Sequence, residues 1–233
     1  MPMPPYAAKT AYQGAVASRY DEDRVDEPIW MQEQAFVEAW AETLPTAATV
    51  LDIPSGTGRF LPCLLAKGFR VHAIDISPDM VAEIFRRHAA AANCLSVAVG
   101  DAEQLTFPDK SVDYVLSWRF FHLLPIAVMH RVLTEFRRIC RGTIVLEVLQ
   151  AAPPGAGRKP WSGLKVKLLG WLRKWRGNSV LPWSHITSYS HGEAELRAAF
   201  LRAGLTVREA KMIGESAGQP VIVFFLESPV NTP

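Results

Sequence analysis

The sequence predicts an α/β fold: a doubly wound, mostly parallel sheet of seven strands with an antiparallel last strand. Two observations predict it. From Thr49 onward, short apolar runs alternate with helix-length segments, the rhythm of βαβ units. The first three of these runs end in or lead into an acid, one with a glycine-rich turn, at the strand ends where such sheets bind ligands. The chain has 233 residues, 49% hydrophobic and 21% charged, enough to bury one globular core.

Residues 1–10 are Pro-rich, and frayed ends are common there. A helical pattern runs from Ala11 to about Leu44, with Ile29, Trp30, Phe36, Val37 and Trp40 at three- and four-residue steps. "TVLDI" (49–53) is the first strand, "RFLPCLLAKG" a helix closing on Gly68, and "FRVHAIDI" (69–76) the second strand. The next helix, "SPDMVAEIFRRHAAA", has Ser77 as its cap and Pro78 at its first position. "CLSVAVG" and "SVDYVLSW" (111–118) are strands three and four; a helix over "IAVMHRVLTEFRRICRG" ends at Gly142, and "TIVLEVL" (143–149) is strand five. The last helix is "HGEAELRAAFLRAGL", before a hairpin of "TVREAKMIG" and "PVIVFFLES". These readings divide the chain into an N-terminal helical segment (1–44), a core (45–150), an insert (151–190) and a C-terminal completion of the same domain (191–233).

Composition excludes several classes. A net charge of +2 is too mild to imply nucleic acid. Cys63, Cys94 and Cys140 lie far apart without ligand spacing, so neither a metal site nor a disulfide framework is expected, and buried free thiols are. The start lacks a signal-peptide core and no apolar run is long enough to span a membrane. The default setting is cytoplasmic.

The central motif is "VLDIPSGTGRF". Gly56 and Gly58 permit close backbone approach to a ligand. The position three after Gly58 is Leu61, not glycine, which weakens a dinucleotide reading. Asp52, before the glycines, would repel a pyrophosphate and suits a ligand that carries an ammonium or is bound through water. Asp75 ends strand two, 23 residues after Asp52, where a carboxylate accepts from ribose hydroxyls. Asp101 follows strand three; it is placed to accept from an exocyclic adenine amine, with the Ala102 N–H for a ring nitrogen. A ligand with an amino-acid end, a ribose and an adenine satisfies all three, and S-adenosylmethionine has those parts. Each acid alone also reads as a loop or helix cap. Asp113 reads as structural, holding the "PDKS" turn.

On three stretches the chain resembles the class I S-adenosylmethionine-dependent methyltransferases, in particular the ubiquinone/menaquinone type: "VLDIPSGTGRF", "VHAIDISPDMV" and "DAEQLTFPDKSVDYVLSWRFFHLL". The resemblance implies a Rossmann-like sheet, an N-terminal helical lid and a helical insert after strand five. It implies S-adenosyl-L-methionine as cofactor, with S-adenosyl-L-homocysteine as product. The cofactor-binding positions it implies are Asp52, Pro54, Gly56, Thr57, Gly58, Asp75, Ile76, Met80, Asp101, Ala102, Ser117 and Trp118, with Tyr20 and Arg24 closing from the lid beside Tyr12 and Arg19. Pro54 departs from the family's glycine; it fixes φ and removes one N–H donor. The N-terminal segment also reads as an amphipathic surface helix.

After strand four, His122 stands where the family has the second histidine of a pair, and Phe121 replaces the first. His122 is expected to act as a base or acceptor contact, or to be a structural histidine. Arg119 is expected to orient an anionic acceptor or to form a structural ion pair. The insert carries seven Lys or Arg and no acid over residues 158–176, with Trp161, Leu164, Leu168, Trp171, Leu172 and Trp175 at helical spacing. It reads as an acceptor lid, with a membrane-surface helix over 161–176 or a partner contact as alternatives. The expected acceptor is a small or lipid-like molecule, methylated on oxygen before carbon or nitrogen. A non-catalytic cofactor-binding subunit and a nicotinamide-binding protein are the rival readings.

Overall fold

A computed structural model of the chain describes residue 6, residues 8–151 and residues 188–229. The basic segment 158–176 lies outside the described residues. Among the described residues no helix is long and apolar enough to cross a membrane.

The sheet has seven strands in the order β3-β2-β1-β4-β5-β7-β6. They are β1 (Thr49–Asp52), β2 (Arg70–Asp75), β3 (Ser96–Val99), β4 (Val112–Ser117), β5 (Cys140–Leu149), β6 (Thr206–Ser216) and β7 (Gln219–Glu227). β3, β2, β1, β4 and β5 are parallel, and β7 runs antiparallel between β5 and β6. The final hairpin therefore inserts its last strand into the sheet and leaves β6 as the edge. That edge carries Arg208, Glu209 and Lys211 and two register shifts, features that discourage pairing with another chain.

The central strands are apolar on both faces because helices cover both. Val50, Leu116, Val145, Val223 and Phe225 meet Val37 and Trp40 of α3 (Pro28–Glu42), Leu61 and Leu64 of α4 (Leu61–Ala66) and Ile84 of α5 (Pro78–Arg87). On the other face Leu51, Val115, Ile144, Leu146 and Phe224 meet Val132 and Phe136 of α6 (Ile126–Ile139) and Phe200 of α7 (Glu193–Arg202). The alternation Leu51/Val50 and Val145/Ile144 is the period-two pleat of each strand. Ser77 caps α5 as expected, its Oγ accepting the Met80 N–H at 3.2 Å.

Four expectations are corrected. The pattern from Ala11 to Leu44 is not continuous: α1 (Ala8–Ala11) and α2 (Ala15–Ser18) are single turns, and the main helix begins only at Pro28, a residue that fits a first turn and breaks an interior. Helix α6 stops at Ile139, so Cys140 to Gly142 open β5; Val112 pairs with Cys140 and draws them into the sheet. Asp113 does not hold the "PDKS" turn; its Oδ2 accepts the Thr49 N–H at 2.8 Å and its Oδ1 pairs with Arg141, tying β1 to β4. Of the three free cysteines only Cys140 is buried; Cys63 and Cys94 are half-buried.

Candidate functional site

Strand order reverses between β1 and β4, which opens a crevice at their carboxyl ends. Asp75 is its anchor. The residue is 5% exposed, and its two carboxylate oxygens accept the Gly56 and Ser77 N–H groups at 2.9 Å each. Burial pushes its carboxyl up to about 6, against the pull of those backbone donors, so the group is ionised at neutral pH. The glycine loop is thus fastened to the end of β2 by the acid expected to hold a ribose.

Two adjoining hollows, of about 70 and 40 Å³, share Tyr20, Pro54, Gly56, Trp118 and Arg119. Asp75, Ile76, Met80 and Tyr12 line the first, Thr57 the second. Gly56 has φ +54°, and nothing stands within 4 Å of where its Cβ would be. Gly58 differs. It has φ +81°, and an added Cβ would meet Leu61, His88 and Ile84 at 3.0–3.2 Å. Gly58 packs the loop onto α4 and α5, whereas Gly56 faces open space. Pro54 lies in both hollows and keeps the loop beside them.

The N-terminal segment forms the roof. Tyr12 and Tyr20 stack edge to face at 5.9 Å, and the Arg24 guanidinium lies 4.5 Å from the Tyr20 ring centroid. The Tyr12 carbonyl accepts from the Ser77 hydroxyl. Asp21 accepts from the Thr57 hydroxyl at 2.7 Å, and the Gly14 N–H donates to Asp79 at 2.6 Å. The segment is therefore tied by polar contacts to the loops that follow β1 and β2.

Other expected positions lie behind or beside these hollows. Asp52 is 1% exposed, and its Oδ2 has no hydrogen-bond partner among the described residues. Burial, then the Asp75 charge, push its carboxyl up to about 8, so it is mostly neutral at pH 7 and is not the ready anion expected. The Ser117 Oγ and Trp118 Nε1 are also buried without partners among the described residues. Asp101 accepts Lys9 Nζ at 2.7 Å through Oδ2 and the Glu103 N–H at 2.9 Å through Oδ1. Lys9 thus holds the acid expected to read adenine, and Ala102 beside it is buried.

Because the folded Asp52 holds a proton that the unfolded chain releases near pH 4, stability should fall as pH rises from about 4 to about 8. Asp52→Asn is expected to flatten this slope and to raise the melting temperature at pH 8 more than at pH 5. Thermal melts of both proteins across that range check it; an unchanged slope would contradict the buried-acid assignment.

Next to the hollows lies a larger cavity of about 180 Å³. It shares Tyr12, Arg119 and Leu123 with the first hollow and adds Arg24, Glu27, Glu33, His122, Glu147 and Leu149. Arg119 is committed. Its guanidinium pairs with Glu33 at 2.9 Å and Glu27 at 2.7 Å, and its N–H donates to Glu147 Oε2 at 2.7 Å. Its charge is met from inside the protein, which is the ion-pair reading of this residue. Arg59 pairs with Glu33 at 2.8 Å and lies 3.5 Å from the Trp30 ring centroid.

His122 lines this cavity, with Nδ1 buried and unpartnered among the described residues. Burial, then the Arg24 and Arg119 charges, pull its imidazole down to about 3. It is neutral throughout the physiological range and a poor proton acceptor, which corrects the expectation of a base; an acceptor contact remains open to it. The sequence reading missed Glu33 and Glu147. Both stand out as single acids in apolar runs: Glu33 on the Ile29–Trp30–Val37–Trp40 stripe, Glu147 inside "TIVLEVL".

The residues fit the cofactor implied by the resemblance. A buried carboxylate sits beside an open glycine, and Asp52, Ser117 and Trp118 carry buried polar atoms without partners among the described residues.

Residues 50–142 match a family model described as a methyltransferase domain. The chain is 30% identical over 204 residues to the ubiquinone/menaquinone biosynthesis C-methyltransferase UbiE of Bordetella avium, covering 81% of this chain and 76% of that protein. It is 31% identical over 160 residues to the malonyl-[acyl-carrier protein] O-methyltransferase of Methylococcus capsulatus, covering 66% of this chain and 52% of that protein. Across these and a third curated relative, the match spans from 13% to 76% of the relative's own length. The magnesium protoporphyrin IX methyltransferase of Synechocystis PCC 6803 with bound SAH superposes with a TM-score of 0.66 at 17% identity, covering 95% of this chain and 98% of that one. The same protein with bound SAM gives a TM-score of 0.64.

Proposed function

The chain belongs to the class I S-adenosylmethionine-dependent methyltransferases, and from that premise we propose that it methylates a small or lipid-like acceptor held in the cavity bordered by Arg119, His122 and Glu147. The observation that carries this reading is the adjacency of that cavity to the hollow under Asp75, through shared Tyr12, Arg119 and Leu123. When bound, S-adenosylmethionine supplies a methyl group on a sulfonium sulfur, open to in-line displacement by the acceptor.

In this proposal Asp75 accepts from the ribose hydroxyls. Gly56, Pro54 and Thr57 shape the loop around the amino-acid end, with Asp52 and Ser117 beneath it. Ile76, Met80 and Trp118 pack along the adenosyl moiety. Asp101 and Ala102 read adenine once Lys9 yields, and Tyr20 and Arg24 close the roof. The protein's remaining work is alignment and exclusion of water, a proximity effect. Oxygen is the first choice of methylated atom, then carbon or nitrogen. The half-exposed and buried free thiols suit a reducing, cytoplasmic setting.

The rival in this family is a partner subunit that binds the cofactor without turnover. Incubation with methyl-radiolabelled S-adenosylmethionine and a panel of hydroxyl, carboxyl and amine acceptors decides between them. Label transfer to any acceptor is expected. Saturable cofactor binding with no transfer to the panel, with or without a copurifying partner, would favour the subunit reading.

A further inference from the structure

Resting on the methyltransferase reading above, we propose that Glu147 takes the proton of the acceptor and that the acceptor is a neutral hydroxyl compound. Three carboxylates line the cavity: Glu27, Glu33 and Glu147. Glu33 is met by Arg59 and Arg119, and Glu27 by Arg24 and Arg119. Glu147, 2% exposed, has no guanidinium partner among the described residues; its one hydrogen bond there is the Arg119 N–H on Oε2. Among the described residues it is the carboxylate of the cavity whose charge is not consumed by an ion pair.

Among the described residues, the charges that share the cavity with Glu147 come from several elements. Glu33 lies on α3, with Glu27 and Arg24 in the turns before it. Arg119 and His122 follow β4, and Tyr12 descends from the roof; Ser216 and Val221, from the β6–β7 hairpin, bring no charge. Burial, then Glu33, push the Glu147 carboxyl up to about 7, with Arg119 pulling the other way. A group so placed accepts a proton near neutral pH. His122, held neutral in the same cavity, does not compete for it.

Charge narrows the acceptor. A carboxylate acceptor has no proton to give and would be set against Glu147. A neutral hydroxyl satisfies it. The acceptor oxygen bonds to the methyl carbon as the carbon–sulfur pair leaves to sulfur; the O–H pair stays on oxygen, and the proton ends on Glu147 as a carboxylic acid.

Ligand-observed NMR on the full chain saturated with S-adenosylhomocysteine tests this, with phenol, fluorobenzene and benzoate as probes at pH 8. Phenol is expected to bind about ten-fold tighter than fluorobenzene, the scale of one hydrogen bond to a charged group, and benzoate not at all. Glu147→Leu, which leaves no acceptor at that position, should abolish the phenol preference while the chain still binds S-adenosylhomocysteine. In the wild type the preference should fade below pH 7, where Glu147 takes its own proton. Equal binding of phenol and fluorobenzene by the wild type, a preference kept in the variant, or tighter binding of benzoate would overturn the proposal. The wild-type comparisons decide even if the variant does not fold. Failure of the wild type to bind S-adenosylhomocysteine would instead count against the methyltransferase reading.

Discussion

Arg119→Ala is expected to cost the protein on the order of 3 kcal/mol of stability, the scale on which breaking a buried ion pair from one side destabilises. Arg119 joins three separate elements. Its guanidinium meets Glu33 of α3 and Glu27 before it, and its N–H meets Glu147 of β5. Glu33 is 1% exposed. Without Arg119 it would keep only Arg59, and Glu27 only the longer contact to Arg24 at 3.5 Å. For a chain of this size the loss corresponds to a fall in melting temperature of roughly 6–12 °C. Arg119→Lys should recover part of it, because an ammonium cannot serve both carboxylates in the planar geometry of a guanidinium. A double variant with Glu33→Gln should lose less than the sum of the single losses. Additive losses in that cycle would show that the pair is not coupled.

Asp75→Ala is expected to weaken S-adenosylhomocysteine binding by roughly 1–3 kcal/mol, the range for hydrogen bonds to a charged group. The same change frees the Gly56 and Ser77 N–H groups that the carboxylate now holds, so the loop loses its fastening as well. The pH dependence separates the two effects. With the Asp75 carboxyl at about 6, the wild type should bind uniformly above that value and progressively less tightly below it, as the carboxylate is protonated. The alanine variant should show no such limb. Calorimetric titrations from pH 5 to 8 check both statements, and an affinity unchanged by the substitution would remove Asp75 from the ribose position.

The sequence carried the sheet and the crevice at its strand ends because both depend on local pattern. Asp75 and Gly56 sit at strand ends, where apolar runs stop and a turn begins, and one stretch of chain reveals each. What escaped depends on side chains meeting across the fold. Nothing local to "SWRFFHLL" shows that Arg119 reaches back to Glu27 and Glu33. Nor does the spacing of Gly56 and Gly58 show that a side chain at the second would meet Ile84. The same limit hid the protonation of two expected groups. Asp52 and His122 carry the right chemistry in water, but burial with little compensation shifts both toward their neutral forms. Glu33 and Glu147 were legible in outline, as acids in apolar surroundings that need a partner or a function.

Whether the crevice under Asp75 holds S-adenosylmethionine is tested most directly by fluorescence titration of the seven-tryptophan chain with S-adenosylhomocysteine and, separately, with NADH. Trp118 lines both hollows and should report occupancy. Saturable change with S-adenosylhomocysteine and none with NADH is the predicted result; saturation by NADH without response to S-adenosylhomocysteine would contradict the account.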